Sequence, residues 1–262
     1  MKSRIAEDIN TLGRFCGARD ISALKREELL QKYGISAADV MVLFGGSILA
    51  GGDILAQAIK DGVAKKYIIV GGEGHTTQTL RDVVHSEYPG IVTAGLPEAE
   101  VYRRYLETAY GCHADYIETQ STNCGNNITY LLNLLNENGI ALDSIILTQD
   151  ASMQRRMDAG LRKYVSGATI INYAAYSACV LCGDDGLYYE KAIHGMWTIE
   201  RYVNLLMGEI PRLTDDENGY GPRGKDFIAH VDIPYEVKAA FDELRQVYGG
   251  DVRAANPLYA SK

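Results

Sequence analysis

The feature that most constrains the fold of this chain is a repeated alternation between short β-branched runs and segments with helical spacing. "DVMVLFGG" (39–46), "KYIIVGG" (66–72), "ADYIETQ" (114–120), "DSIILTQD" (143–150) and "GATIINYA" (167–174) are mostly apolar, and several end in glycine or small polar residues. Between them, Val101, Tyr102, Tyr105, Leu106 and Ala109 recur at three and four residues. Ile128, Leu131, Leu132 and Leu135 do the same, as do Met153, Met157, Leu161 and Tyr164. This alternation predicts a parallel sheet with helices on both faces.

The flanks read differently. Residues 1–36 give two short amphipathic helices, one carrying Ile5, Ile9, Leu12 and Cys16, the other Leu29, Leu30 and Tyr33. After about residue 176 the strand signal stops, and Ile193, Trp197, Val203 and Leu206, then Val237, Phe241 and Leu244, follow helical stripes. The expected organisation is an α/β domain over 37–176 and a small all-helical domain built from 1–36 and 177–262.

With 47% hydrophobic and 23% charged residues, 262 residues can bury a full core. The net charge of −8 argues against a general nucleic-acid or anionic-membrane surface. "MKSRIAEDINTLGRFCG" lacks the apolar core of a signal peptide, and no segment approaches a membrane span, so the expected location is cytoplasmic. Five irregularly placed cysteines fit reduced thiols there. Cys179 and Cys182 form the one Cys-x-x-Cys pair, with neither a second pair nor a histidine at ligand spacing, and no metal is predicted.

In an open parallel sheet, ligands bind at the carboxyl ends of the strands, where helix N-termini present unpaired N–H groups. Each unusual polar cluster of this sequence falls at such an end. In "FGGSILAGGD", Gly45 and Gly46 let a ligand approach the backbone and Ser47 can cap or bond it. The spacing from Gly46 to Gly51 is that of a phosphate loop. Gly52 and Asp53 nevertheless stand where Lys and Ser or Thr are required, which excludes a Walker-type NTPase. "VGGEGHTTQT" contributes Gly71, Gly72, Glu73, Gly74 and His75, but Thr77 replaces the third glycine of a dinucleotide motif. A tight turn before a helix explains these glycines equally well.

Glu98 follows Pro97 in the first turn of a helix, three and four residues before Val101 and Tyr102, hence on the side facing the sheet. A carboxylate there needs a partner. "ETQSTNCGNN" carries more donor and acceptor capacity than a cap requires. Ser121 or Thr122 can cap the helix, Asn123 and Asn126 supply amides, and Glu118 can accept hydroxyl hydrogens. In "TQDASMQRRM", Arg155 and Arg156 lie near a helix start, where the dipole disfavours cations. Asp150, Glu118 or an anionic ligand would compensate them, with Gln149 and Asp150 at the strand end and Arg155 taken as the ligand-side residue.

With "VLFGG", "IIVGG" followed by "GHTT", the "EAE" helix start, "ETQSTNCGNN" and "QDASMQRR" in this order, the sequence resembles the YdcF-like family of bacterial α/β proteins, and more distantly the SanA- and ElyC-like proteins. "GMWTIERYVNLLMGEIPRL" and "DENGYGPRGKDFIAHVDIP" extend the resemblance over nearly the whole chain. It implies a Rossmann-like three-layer α/β/α sandwich with an attached helical domain, and a binder of S-adenosylmethionine or a related nucleotide. It carries Gly45, Gly46, Gly71, Gly72, Glu98, Glu118, Ser121, Asn123, Asn126 and Arg155 onto this chain. Pro97 and Ser152 stand where broader family members often have Ser and His, so no catalytic role is transferred to those two positions.

The expected function is thus that of a cytoplasmic binder of a small nucleotide-type ligand and an enzyme of unassigned reaction. In it Glu98, Glu118 and Arg155 are the catalytic candidates, and "GYGPRG", with Tyr220 and Arg223, closes over the ligand. The competing readings are a hydrolase or transferase acting on a phosphorylated substrate, and a non-catalytic metabolite sensor.

Overall fold

A computed structural model describes residues 2–74 and 76–249. In chain order the elements are α1 (Lys2–Cys16), α2 (Arg26–Tyr33), β1 (Ala38–Phe44), α3 (Ala50–Asp61), β2 (Ala64–Val70), α4 (Thr77–Glu87), α5 (Glu98–Tyr110) and β3 (Tyr116–Glu118). They continue as α6 (Cys124–Glu137), β4 (Ser144–Thr148), α7 (Gln154–Tyr164), β5 (Thr169–Asn172), β6 (Val180–Gly183), β7 (Gly186–Tyr189), α8 (Ile199–Leu213) and α9 (Tyr235–Tyr248).

The α/β unit comprises residues 19–150 and 167–175. Its sheet is parallel throughout, in the order β3-β2-β1-β4-β5. All seven residues of β1 are buried, as expected of a central strand covered on both faces. Val101, Tyr102, Tyr105 and Leu106 of α5 form the buried stripe that the sequence spacing predicts. The fold is the expected Rossmann-like α/β fold. Strand order runs outward from β1 to β2 and β3 on one side and resumes at β4 on the other. β1 and β4 therefore flank a topological switch point.

The second unit comprises residues 2–18, 151–166 and 176–249, and two stretches fall on the other side of the expected division. Residues 19–36 belong to the α/β unit, because Ile21, Leu24 and Leu29 enter its core and Arg19 is bonded to the carbonyl of Ala174. The Arg19 guanidinium also lies over the Tyr173 ring, 4.3 Å from its centre. Residues 151–166 belong instead to the helical unit. There Arg156 of α7 pairs with Glu209 of α8 at 2.5 Å, and the Ala159 carbonyl accepts from the Ala229 N–H at 2.9 Å.

Nor is this unit all-helical. β6 and β7 form an antiparallel hairpin around Asp184 and Asp185, with Val180 opposite Tyr189. The expectation that strands stop near 176 overlooked "GDDG" between apolar runs, in which Asp184 and Asp185 are the two turn residues and Gly183 pairs with Gly186. No helix among the described residues is long and apolar enough to cross a membrane.

Candidate functional site

The carboxyl ends of β1 and β4 flank a small hollow with room for about one water molecule. Gly46, Ile48, Gly51, Tyr102, Gln149 and Asp150 line it. Its frame is fixed by two hydrogen bonds. The Tyr102 hydroxyl donates to the Ile48 carbonyl at 2.9 Å, and the Asp150 N–H donates to Gln149 Oε1 at 2.6 Å. At Gly46 a methyl group would make ordinary contact with Gln149 Oε1 at 3.6 Å and Asp150 Cβ at 4.0 Å, so there is room for it without a clash.

The polar groups of this loop are largely unspent. Among the described residues, the N–H groups of Gly46, Ser47, Ile48, Leu49 and Ala50 meet no acceptor, and the first bond of the turn is from Gly51 N–H to the Ile48 carbonyl at 3.1 Å. Leu49 is the N-cap of α3 and supplies no side-chain cap. Ser47 is 1% exposed and Thr148 fully buried, yet neither hydroxyl has a hydrogen-bond partner among the described residues. Thr148 pairs in register with Leu43, which itself lines the hollow. Unpaired buried hydroxyls cost roughly 1–3 kcal/mol each, so two at one crevice call for a reason. Sequence reasoning found Ser47 but missed Thr148, which reads as an ordinary β-branched strand residue.

The second polar centre lies at the ends of β1, β2 and β3 and is built differently. Glu98 is 7% exposed. Its Oε1 accepts from the Thr77 hydroxyl at 2.9 Å and from Thr76 at 3.4 Å. Burial outweighs these hydrogen bonds and pushes the carboxyl up from about 4.5 to about 7. Thr76 and Thr77 are partners that sequence reasoning missed, because "GHTT" was weighed for a missing glycine rather than for its hydroxyls.

The neighbouring glycines are explained by this packing. A methyl group on Gly45 would lie 2.3 Å from Glu98 Oε2, and one on Gly72 would lie 2.2 Å from the Ser121 carbonyl. The N–H groups of Glu98 and Ala99 donate to the carbonyls of Gly72 and Gly71 at 2.9 and 2.8 Å, which closes the N-terminus of α5. Gly45, Gly71 and Gly72 thus make room for protein, whereas the sequence reading expected them to make room for a ligand. Gly74 donates to Thr77 Oγ1 at 2.7 Å, Glu73 pairs with Arg81 at 3.1 Å, and His75 lies outside the described residues.

The "STNCGNN" turn also satisfies itself. Asn123, and not Ser121 or Thr122, is the N-cap of α6, its Oδ1 accepting from the Asn126 N–H at 2.9 Å. Asn126 Oδ1 accepts from Asn123 Nδ2 at 2.7 Å and from the Thr122 hydroxyl at 3.2 Å. Ser121 Oγ accepts from Gly72 N–H at 3.2 Å, and Glu118 Oε1 accepts from the N–H groups of Gln120 and Ser121 at 2.5 and 3.2 Å.

Arg155, Tyr220 and Arg223 belong to the other unit. The Arg155 Nε donates to the Phe15 carbonyl, and its guanidinium sits 4.4 Å from the centre of the Phe15 ring. Arg156 is compensated by Glu209, a partner the sequence reading did not consider when it named Asp150, Glu118 or an anion. Tyr220 packs edge-on against Phe227 at 5.3 Å, and Arg223 lies 3.5 Å from Asp215.

The glycines of "GYGPRG" were expected to supply flexibility to a closing loop. Instead a methyl group on Gly219 would lie 1.7 Å from the Thr214 carbonyl, and one on Gly224 would lie 2.2 Å from the Asp216 carbonyl. They permit a tightly folded turn.

No protein-family model matches this chain. Among the described residues no group of three or more His, Cys, Asp or Glu side chains is arranged to hold a metal ion.

Proposed function

We propose that this protein binds an adenosine-type metabolite, S-adenosylmethionine or a close relative, along the carboxyl edge of its parallel sheet. One observation carries the reading: the topological switch point between β1 and β4 coincides with a hollow beside which two buried hydroxyls, Ser47 and Thr148, lack partners. Open α/β sheets place their ligands at such points, and an unspent buried donor is what a ligand would satisfy.

The charge along the edge favours one ligand over another. Asp150, Glu98 and Glu118 are the carboxylates buried at the strand ends, and Arg81 is held by Glu73 and the Leu96 carbonyl. Acidic walls suit a sulfonium cation and ribose hydroxyls better than a polyphosphate. Glu118, at the end of β3, is the carboxylate assigned to the hydroxyls.

Calorimetric titration of the protein with S-adenosylmethionine, S-adenosylhomocysteine, adenosine, ATP and ADP tests this. Saturable binding of the first two with weaker or no binding of ATP is expected. Absence of binding by all five to folded protein would sink the reading.

A second reading, a hydrolase or transferase acting on a phosphorylated substrate, draws on Glu98. A carboxyl titrating near neutrality can both take and give a proton. That reading requires turnover, and turnover that survived Glu98→Gln would remove its basis.

A further inference from the structure

We infer that Glu98 meets the ligand as a hydrogen-bond donor, through a proton that Thr77, as a positioning residue, keeps on Oε2. The ligand atom at this point is therefore an acceptor, an unprotonated nitrogen or an oxygen, and neither a cation nor a hydroxyl hydrogen. The inference rests on the adenosine reading above and assigns one contact within it.

The place of the proton follows from a chain of three groups. The buried Thr77 hydroxyl accepts from the Gly74 N–H at 2.7 Å and lies 2.9 Å from Glu98 Oε1. Among the described residues Oε1 is the one acceptor that the Thr77 proton reaches, and a buried hydroxyl proton left without an acceptor is costly. Thr77 therefore donates to Oε1, as Thr76 does from 3.4 Å. An oxygen that already takes two hydroxyl protons does not carry one of its own, so the proton of the neutral carboxyl sits on Oε2.

Oε2 is the end of the side chain left for a ligand. Glu98 is 7% exposed, and Oε2 has no hydrogen-bond partner among the described residues, yet it is not sealed from solvent. It lies where β1 and β2 end. A methyl group would come within 2.3 Å of it from Gly45 and within 3.3 Å from Gly71, so glycine at both places keeps it uncovered. Burial outweighs the hydroxyl bonds and leaves this carboxyl half protonated at about pH 7. The charged and titratable groups facing it are Arg81 of α4, Glu73 of the turn before that helix and Tyr102 of its own helix. Arg81 and Glu73 act on it in opposite directions and pair with each other at 3.1 Å.

Calorimetry with S-adenosylhomocysteine, whose own groups titrate away from neutrality, is expected to show affinity falling about tenfold from about pH 6 to about pH 8, because only the neutral carboxyl donates. Glu98→Gln should bind equally at both pH values, since its amide oxygen takes the Thr77 proton and its amide nitrogen donates in place of the acid. In ligand-free protein, carbon-13 NMR of the glutamate carboxyls follows the proton itself. Thr77→Val should move the Glu98 titration to higher pH by removing a bond to the charged form, and Thr77→Ser should restore it, with thermal melts checking that the variants are folded. Affinity that rises with pH, affinity lost in Glu98→Gln, or a titration that Thr77→Val leaves unmoved would overturn the inference and leave the adenosine reading standing. Binding of no adenosine compound to folded protein would overturn both.

Discussion

Two turns of the α/β unit look alike in sequence and differ in what they have left to offer. "GGSIL" after β1 and "STNCGNN" after β3 are both small, polar and followed by a helix, and the second is much the richer in polar groups. Yet Asn123, Asn126 and Thr122 bond to one another, while the Ser47 hydroxyl and the N–H groups around it find no partner among the described residues. Polar content measures potential capacity. What matters for a ligand is the remainder after the turn has satisfied itself.

The contrast can be broken at several points. The largest effect is expected for Gly72→Ala, where the added methyl group meets backbone carbonyl at 2.2 Å. Overpacking against immovable backbone should cost about 3 kcal/mol in denaturant unfolding. A loss under about 1 kcal/mol would mean that this glycine serves approach rather than packing.

Next comes the pH dependence of Glu98. Its folded carboxyl is raised from about 4.5 to about 7, so the folded state retains a proton that the unfolded state has released. The contribution is most favourable below the unfolded value and is lost as pH rises through that window. Relative to Glu98→Gln, the wild type should therefore lose on the order of 2–3 kcal/mol between pH 4 and pH 8. Parallel stability curves for the two proteins would show that Glu98 titrates normally.

Asn123→Ala removes the cap of α6 and should cost about 1 kcal/mol of stability while leaving ligand affinity unchanged. A lost ligand with unchanged stability would reverse the ranking of the two turns. The smallest stability effect is expected for Gly46→Ala, within about 0.5 kcal/mol, because its methyl group would make only ordinary van der Waals contact, nothing closer than 3.6 Å. A large loss there would show that the hollow is needed by the protein itself.

The five parallel strands were legible because each is a short apolar run closed by small residues, and burial on both faces enforces that composition. The position of Glu98 was legible from its spacing to Val101 and Tyr102. Its Thr76 and Thr77 partners were not, since they lie more than twenty residues away and meet it only through the fold. The roles of the glycines were also hidden. Gly45 and Gly46 are adjacent and identical in sequence, yet a methyl group would clash with the Glu98 carboxyl at the first and fit without a clash at the second. The boundary between units was misjudged because α2 and α7 are amphipathic, and an apolar stripe does not name the core it will join.

The interleaving of the two units has a consequence for how the chain is made. The chain passes from one unit to the other between 18 and 19, 150 and 151, 166 and 167, and 175 and 176, so neither unit is a continuous stretch. Helix α1 leaves the ribosome more than 200 residues before α9, the last described helix, against which it packs. Its apolar face must wait through the synthesis of the whole sheet for that partner, and contacts of such long sequence separation form slowly. The newborn protein is therefore expected to carry a finished sheet with an open helical face, which makes α1 the segment a chaperone would hold.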